Sequence, residues 1–298
     1  MINFSKNLIS KSLLIGCSLL SLSVAAQTSV WQVSKGDDKV YIGGTLHILP
    51  SNQMPLPAEF EFAYKQSDTV ILEAKMPDPA DSQAQMTMLQ TLSYKNGETL
   101  SEKLSPEVKA QLETKLAQFG VSLNELNSFR PFMVSVILMS MELQKQQLIG
   151  DGVDAYFANR ASSDQKTQRY LETLEFQLQL FKEMGENSED KFIQSNLTQL
   201  DDYAELFDGM MKAWRSGDTE SLNELVILPM RKEDPATFDK LLKARNHNWL
   251  PQVKAMFGNN QQELVLVGAA HLAGEHNLLA LLAEEGYSIT QLDIAGEQ

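Results

Sequence analysis

Cysteine is nearly absent from this chain, because its 298 residues include a single one, Cys17. That residue lies in a stretch typical of an export leader, in which lysines precede an apolar segment and Val24-Ala25-Ala26 fits a small-residue cleavage site. We expect residues 1–26 to be a signal peptide that is removed. The mature protein would then have no thiol, which excludes disulfides, thiolate nucleophiles and cysteine metal sites.

Long apolar runs are also missing. The apolar part of the leader is shorter than the roughly 20 residues that a membrane-spanning helix needs, and no longer run follows it. We therefore expect no transmembrane segment after the leader and an exported protein, periplasmic or secreted. Leu14-Ile15-Gly16-Cys17 also resembles a lipobox, which would leave a lipid anchor on Cys17. Ordinary cleavage after Ala26 is favoured, because the apolar run continues past that cysteine.

An excess of basic residues is absent too. Lys and Arg number 25 against 39 Asp and Glu, so the formal net charge is −14. No cluster of Lys and Arg offsets this charge, which argues against nucleic acids and anionic membrane surfaces as partners bound by bulk electrostatics. The hydrophobic content of 43% and the charged content of 21% are typical of an ordinary folded protein.

Histidine is scarce, yet two of the four histidines occupy the same local setting. Gly44-Thr45-Leu46-His47 follows the β-type run 40–43, and Gly268-Ala269-Ala270-His271 follows the run 264–267. Each histidine should therefore lie just past the carboxyl end of a strand, where α/β proteins place their chemistry. Two such tetrads at opposite ends of the sequence predict that His47 and His271 meet in space.

The pattern along the chain predicts an α/β fold with a mixed, mostly parallel central sheet flanked by helices. Helical spacing dominates at about 80–160 and 173–255, so we expect a large helical insertion within one domain that spans 27–298. Single helices are expected over 189–214 and over 236–247, the latter with Arg245 and Asn246 near its end. The predicted strands are a hairpin at 29–33 and 39–43, then 69–72, 168–171, 264–267 and 288–292, the last two in a compact strand–helix–strand unit.

Four of these strands end in a polar residue: His47, Glu73, Glu172 and His271. If the strands are parallel neighbours, two imidazoles and two carboxylates share one edge of the sheet. Such ligands suit zinc, manganese, cobalt or iron(II), and a bound metal would acidify a water that a glutamate could deprotonate. Each feature alone has a simpler interpretation, since a lone histidine is often structural and a strand-end carboxylate, such as Glu172, often caps the next helix.

Arg245, Asn246 and His247 place a cation, an amide and an imidazole close together. Arg245 could hold a substrate carboxylate or stabilise an oxyanion. A structural ion pair with Glu172 or Glu73 is the close alternative.

Two further polar residues are interpreted more simply. Asp154 would cap a helix or orient a neighbour. His276 follows His271 by five residues, which does not match the His-Glu-x-x-His zinc signature, so a surface position is preferred for it.

The ordered set of motifs resembles the TraB/PrgY/GumN family, which includes the Tiki proteins. The resemblance spans nearly the whole mature chain and implies a metal-dependent hydrolase that uses paired Gly-x-x-His motifs and a glutamate. It also implies a fold similar to erythromycin-esterase-like and ChaN-like proteins. The matching segments are 41–47, 70–73, 152–154, 171–173 with Gln177, 245–246, 267–272 with Gly274, and 286–287.

Carried over residue by residue, the resemblance assigns His47, His271 and Glu73 to a divalent metal: zinc, manganese, cobalt or iron. The candidate catalytic residues are Glu73, Glu172, Arg245 and Asn246. We expect an exported, peptidase-like hydrolase that acts on a peptide or on a small amide or ester. The alternatives are a protein that sequesters peptides without turnover and a protein that binds haem or iron.

Overall fold

A six-stranded sheet forms the centre of the protein in a computed structural model that describes residues 28–77, 80–200 and 202–294. The predicted leader, 1–26, lies outside the described residues. The strands are β1 (Val30–Lys35), β2 (Asp38–Thr45), β3 (Thr69–Leu72), β4 (Thr167–Tyr170), β5 (Glu263–Gly268) and β6 (Ser288–Gln291). Their order is β4-β3-β5-β2-β1-β6, and the neighbours from β4 to β2 run parallel. The predicted fold class, with its mostly parallel sheet, is confirmed.

The predicted hairpin joins β1 to β2. The strands pair antiparallel from Val30 opposite Gly43 to Lys35 opposite Asp38, which leaves a two-residue turn. Gly36 takes the first turn position with φ +63°, a left-handed conformation that glycine adopts without steric cost. The hairpin is therefore tighter than the five-residue turn that the sequence suggests.

Helices cover both faces of the sheet, and most of them fall within the two stretches that the sequence predicts to be helical. They are α1 (Ala58–Gln66), α2 (Ser82–Thr91), α3 (Pro106–Ala117), α4 (Leu123–Leu126), α5 (Pro131–Lys145), α6 (Val153–Ser163), α7 (Leu174–Glu183), α8 (Glu189–Leu200), α9 (Tyr203–Ser216), α10 (Thr219–Leu222), α11 (Leu228–Glu233), α12 (Pro235–Phe238), α13 (Ala244–Lys254) and α14 (Leu278–Glu284). Two π-helical segments, Asn223–Ile227 and Asp239–Lys243, join α10 to α11 and α12 to α13. Within the described ranges, no helix is both long enough and apolar enough to cross a bilayer.

Two helix predictions were wrong in extent. The single helix expected over 189–214 is two helices, because Asp202 has a non-helical conformation immediately before α9. The helix expected to end near 247 continues to Lys254. Trp249 and Val253 are fully buried there, and this burial overrides the weak helix propensity of the polar residues before them. Arg245 and Asn246 therefore lie inside a helix rather than near its end.

The C-terminal strand–helix–strand unit forms as predicted, but its two strands are not adjacent. α14 carries the chain from β5 past β2 and β1 to the edge of the sheet, where β6 pairs antiparallel with β1. The position beside β5 is already taken by β2, which pairs with it in parallel.

Alternate side chains of the central strands enter separate apolar clusters. Tyr41 and Leu264 belong to one cluster, whereas Ile42 and Val265 belong to the other. A third cluster, which includes Leu112 in α3, lies within the helical insertion. The sheet is thus buried on both faces, which fits the nearly continuous apolar sequence of β3 and β5.

Candidate active site

The ends of the parallel strands bring the predicted polar residues to one edge of the sheet. Thr45 pairs with Gly268 at the ends of β2 and β5, and Leu72 pairs with both Leu266 and Tyr170. The side chains that follow these ends are therefore neighbours. They belong to His47, Glu73, Glu172 and His271.

His47 and His271 meet beside Gly268. A β-carbon built on Gly268 would lie 3.8 Å from His47 Nε2, 3.7 Å from His271 Cδ2 and 3.3 Å from Glu73 Oε1. Gly268 thus forms a floor between two imidazoles and a carboxylate. The two tetrads come together although they lie at opposite ends of the sequence.

His47 is the accessible member of this group. Its side chain keeps 66% of its surface exposed, and Nδ1 lies 3.2 Å from Asp154 Oδ2. No described residue forms a hydrogen bond with Nε2, which leaves that nitrogen open to a substrate or water. The surrounding protein opposes protonation, but the hydrogen bond and charge of Asp154, with the charge of Glu73, outweigh it and raise the pKa of His47 to about 9.

A glycine allows Asp154 to reach His47. Asp154 lies in the first turn of α6, and the first residue of this helix, Val153, donates its N–H to Leu46 O, next to His47, at 2.9 Å. A β-carbon on Gly152 would lie 2.5 Å from His47 O and 2.6 Å from Asp154 Oδ1. Any larger residue would push α6 away, so Asp154 has the orienting role that the sequence left open.

Glu73 is an ionised carboxylate whose oxygens both accept hydrogen bonds. Oε1 accepts from Gly268 N at 2.7 Å, and Oε2 accepts from Arg245 Nη2 at 2.6 Å and from Gln177 Nε2 at 3.3 Å. Burial opposes ionisation, but the charge that His271 carries when protonated, the charges of Arg245 and His47 and the hydrogen bond from Gly268 lower the pKa of Glu73 to about 2. A carboxylate with so low a pKa is a poor general base at neutral pH.

Arg245 uses all five of its N–H groups within the protein. Nε donates to both oxygens of Glu172, and Nη2 donates to Glu172 and to Glu73. Nη1 donates to Leu241 O at 3.2 Å and to His271 Nε2 at 3.0 Å. Only 6% of the Arg245 side chain is exposed. This geometry supports the structural ion pair, since no N–H remains for a substrate carboxylate or an oxyanion.

His271 is buried and neutral. A guanidinium can only donate, so Nε2 of His271 accepts from Arg245, and Nδ1 carries the proton that it donates to Asn246 Oδ1 at 2.7 Å. Burial, together with the charges of Arg245 and His47, lowers the pKa of His271 to about 3. Asn246 thereby sets the protonation pattern of this ring, which is a positioning role.

Glu172 holds Arg245 and does not cap α7. Thr173 performs the capping, because its hydroxyl accepts from Phe176 N at 3.1 Å. Both oxygens of Glu172 accept from Arg245, a paired contact typical of strong carboxylate–guanidinium interactions.

Two further residues, for which the sequence predicted no role, support this network. Trp249 Nε1 donates to Glu172 Oε1 at 2.9 Å, and its ring lies 4.6 Å from the Arg245 guanidinium carbon. Gln177 Nε2 bridges Glu73 and Glu172. The position of Trp249, four residues after Arg245, is a signal for this contact, because such residues share a helix face.

The donor set does not fit a metal held by His47, His271 and Glu73. His271 Nε2 and both oxygens of Glu73 already accept hydrogen bonds, and Arg245 provides the positive charge between the carboxylates. In the part of the chain that the structure describes, no group of three or more His, Cys, Asp or Glu residues is arranged to hold a metal ion. The divalent metal stays a prediction, and no step proposed below passes through one.

Comparisons with known proteins agree with the resemblance seen in the sequence. The chain is 25% identical over 248 residues to "Uncharacterized protein YbaP" of Escherichia coli (strain K12) and to the protein of the same name from Shigella flexneri. Each alignment covers 83% of this chain and 89% of the relative. No solved structure matches. The TraB/PrgY/gumN family profile matches residues 29–291, so the chain belongs to that family.

Proposed function

We propose that this protein is a hydrolase that cleaves an amide or ester at the edge of the sheet beside His47, with peptides as the favoured substrates. The observation that carries the proposal is the pair of His47 and Asp154. Asp154 holds Nδ1 of the imidazole, while Nε2 is accessible. Hydrolytic enzymes orient a histidine in this manner for proton transfer.

His47 acts as the general base in the proposed reaction in its unprotonated form, whose share grows as the pH rises towards its pKa of about 9. Nε2 takes a proton from a water molecule while the water oxygen attacks the carbonyl carbon. The C–N or C–O bond then breaks, and the leaving nitrogen or oxygen receives the proton from His47. Asp154 keeps the ring oriented and stabilises its charged form.

Glu73, Glu172, Arg245 and His271 support the floor of the site. Their polar atoms contact one another at hydrogen-bond distances and their side chains are largely buried. We assign them the task of fixing the position of Gly268 and of providing a negative charge near His47. None of the four transfers a proton in this proposal.

A peptide assay tests this function. A mixture of peptides and simple esters is incubated with wild-type protein, with His47→Gln and with Lys212→Gln, which removes an exposed surface cation as a matched control. Mass spectrometry should detect products with wild type and with the control, and at least about 100-fold fewer with His47→Gln, because general base catalysis contributes about that factor or more. Tight peptide binding without products would instead favour sequestration.

A chelator separates this mechanism from the predicted metal chemistry. The proposal requires turnover to persist after exhaustive treatment with EDTA, because each step uses only groups of the chain. Loss of turnover that returns on addition of zinc or manganese would contradict the metal-free mechanism and support the metal prediction. Turnover that is unchanged both in His47→Gln and after EDTA treatment would contradict the general-base mechanism as well as the metal prediction.

We also propose that the protein acts after export. The support is the leader pattern at 1–26, with its apolar segment and its cleavage signal before Gln27. Terminal sequencing of protein from fractionated cells should find Gln27 as the first residue in the periplasm or medium. A lipid-modified Cys17 in the membrane fraction would overturn simple cleavage.

A further inference from the structure

The two histidines outside the candidate active site form a second pair. His247 lies in α13, and His276 lies in the loop before α14; both are exposed. Their ring centroids are 6.0 Å apart, with the ring planes inclined at 47°. All four histidines of the chain are thus found in two pairs.

We propose that His247 and His276 form a surface binding site for a divalent transition-metal ion that prefers imidazole, such as zinc or copper(II). A metal–nitrogen bond of about 2.0–2.1 Å puts the metal roughly 3.2 Å from the centroid of each ring, so two rings on one ion have centroids no more than about 6.4 Å apart. The observed 6.0 Å is below this limit but longer than the roughly 5.2 Å of a tetrahedral angle, so the two exposed rings turn slightly towards each other when they bind one ion. Water would complete the coordination, and imidazole is a favoured ligand of these ions.

Asn246 connects the helix of His247 to the loop of His276. It precedes His247 directly, is 1% exposed, and its Nδ2 donates to the backbone oxygen of His276 at 2.9 Å. One buried side chain therefore fixes the helix that carries one imidazole and the loop that carries the other. Rigid support of this kind reduces the entropy that ligand binding costs.

The backbone of His276 is left-handed, with φ +58°, a conformation that histidine adopts more readily than most residues other than glycine. This conformation fixes the path of the loop that carries the imidazole. The net charge of −14 also raises the local concentration of cations.

This site differs from the one that the sequence predicts. At His271 the metal-binding nitrogen Nε2 already accepts a hydrogen bond from Arg245, whereas His247 and His276 are exposed to solvent. The proposal does not depend on hydrolysis. It also means that zinc in the purified protein would not by itself identify a catalytic metal.

Zinc binding to the full chain, prepared without a histidine tag, tests the site. Wild type, His247→Gln, His276→Asn and His47→Gln are dialysed against a series of zinc chloride concentrations, and bound zinc is measured by mass spectrometry. Asn is chosen at 276 because it tolerates the left-handed conformation. Wild type and His47→Gln should bind one zinc per chain, and each variant of the pair should bind at least about tenfold more weakly.

Copper(II) provides a second readout. Electron paramagnetic resonance should show coupling to two imidazole nitrogens in wild type and to one in each variant of the pair. The proposal is overturned if wild type binds no zinc, if neither variant of the pair weakens binding, or if His47→Gln alone abolishes it. The last result would place the ion in the candidate active site.

Discussion

Nη1 of Arg245 lies 3.0 Å from Nε2 of His271, the nitrogen that a metal would have to bind. The same guanidinium contacts Glu73 and Glu172 through Nη2. A cation supplied by the chain thus contacts two of the three residues of the predicted metal site, His271 and Glu73. This arrangement fits the proposed role of the buried residues as a support for the surface beside His47.

Replacement of Arg245 by methionine should strongly destabilise the protein. Arg245→Met leaves Glu73 and Glu172 buried without their partner, and the loss of one member of a buried ion pair costs about 3–5 kcal/mol. Urea unfolding at neutral pH measures this free energy.

An exposed ion pair provides the control for that experiment. Arg231 pairs with Glu275 at 2.7 Å, with 45% and 66% of the two side chains exposed. Arg231→Met should change the free energy of unfolding by less than about 1 kcal/mol, because solvent screens such pairs. Equal losses in the two variants would refute the central role of Arg245.

A methyl group on Gly268 should impair turnover but leave the fold intact. The backbone of Gly268, with φ −51° and ψ 135°, is accessible to alanine, so Gly268→Ala introduces no backbone strain. The new carbon would lie 3.3 Å from Glu73 Oε1 and 3.8 Å from His47 Nε2, within the space that an attacking water needs. We expect at least a tenfold loss of turnover in the peptide assay, about 1.4 kcal/mol in the barrier.

Gly209→Ala is a suitable comparison for this variant. Gly209 lies in α9, and its added carbon would meet only the flexible end of Leu225, at 3.2 Å. Turnover should stay at the wild-type level, and thermal unfolding should confirm that both variants fold. If Gly268→Ala retains full turnover, the space beside His47 is not where the reaction takes place.

The strand ends and the two tetrads could be predicted from sequence because they depend on local patterns. An apolar run followed by Gly-x-x-His indicates both the strand and the position of its last polar residue. Parallel pairing of β2 with β5 then brings His47 and His271 together. The meeting of two distant histidines therefore follows from the fold class.

The different roles of the two histidines could not be predicted in this way. They depend on which groups of α6 and α13 face each ring: Asp154 for His47, and Arg245 with Asn246 for His271. Those contacts depend on how two helices that are distant in the sequence pack against the ends of the strands. The helix predicted to end at 247 stopped short of Trp249, and this hid the contact of Trp249 with Glu172.

Acid should destabilise the protein through Glu73 and His271 together. Both have lower pKa values when folded, about 2 for Glu73 against an ordinary 4.5 and about 3 for His271 against 6.5. The unfolded chain therefore binds protons that the folded chain does not, and stability falls as pH drops below about 6.5 and again below about 4.5. Urea unfolding between pH 7 and pH 3 measures this decline.

Glu73→Gln measures how much of the loss of stability in acid is due to the Glu73 carboxylate. Glutamine does not titrate, so the variant should be less stable than wild type at neutral pH and should lose less of its stability below about pH 4.5. Parallel curves for the two proteins would mean that Glu73 has an ordinary pKa in the folded state. His47 acts with the opposite sign, because its raised pKa favours folding at low pH and this contribution is lost as pH rises towards about 9.

The pH dependence of turnover tests the partnership of His47 with Asp154. A general base must be unprotonated, so kcat/KM of wild type should rise about tenfold per pH unit and level off near pH 9, the pKa of His47 in the free protein. Asp154→Asn removes the charge that raises this pKa but keeps a hydrogen-bonding side chain. The rise should therefore level off at lower pH, while the plateau falls because the ring is less well oriented.

Asp208→Asn is the matched control, since Asp208 pairs with Lys212 on the exposed surface of α9. Its profile should overlay that of wild type. If Asp154→Asn lowers the plateau without moving the midpoint, Asp154 orients His47 but does not set its pKa. If neither the plateau nor the midpoint changes, Asp154 takes no part in the reaction, and the pair of His47 and Asp154 no longer supports the proposed mechanism.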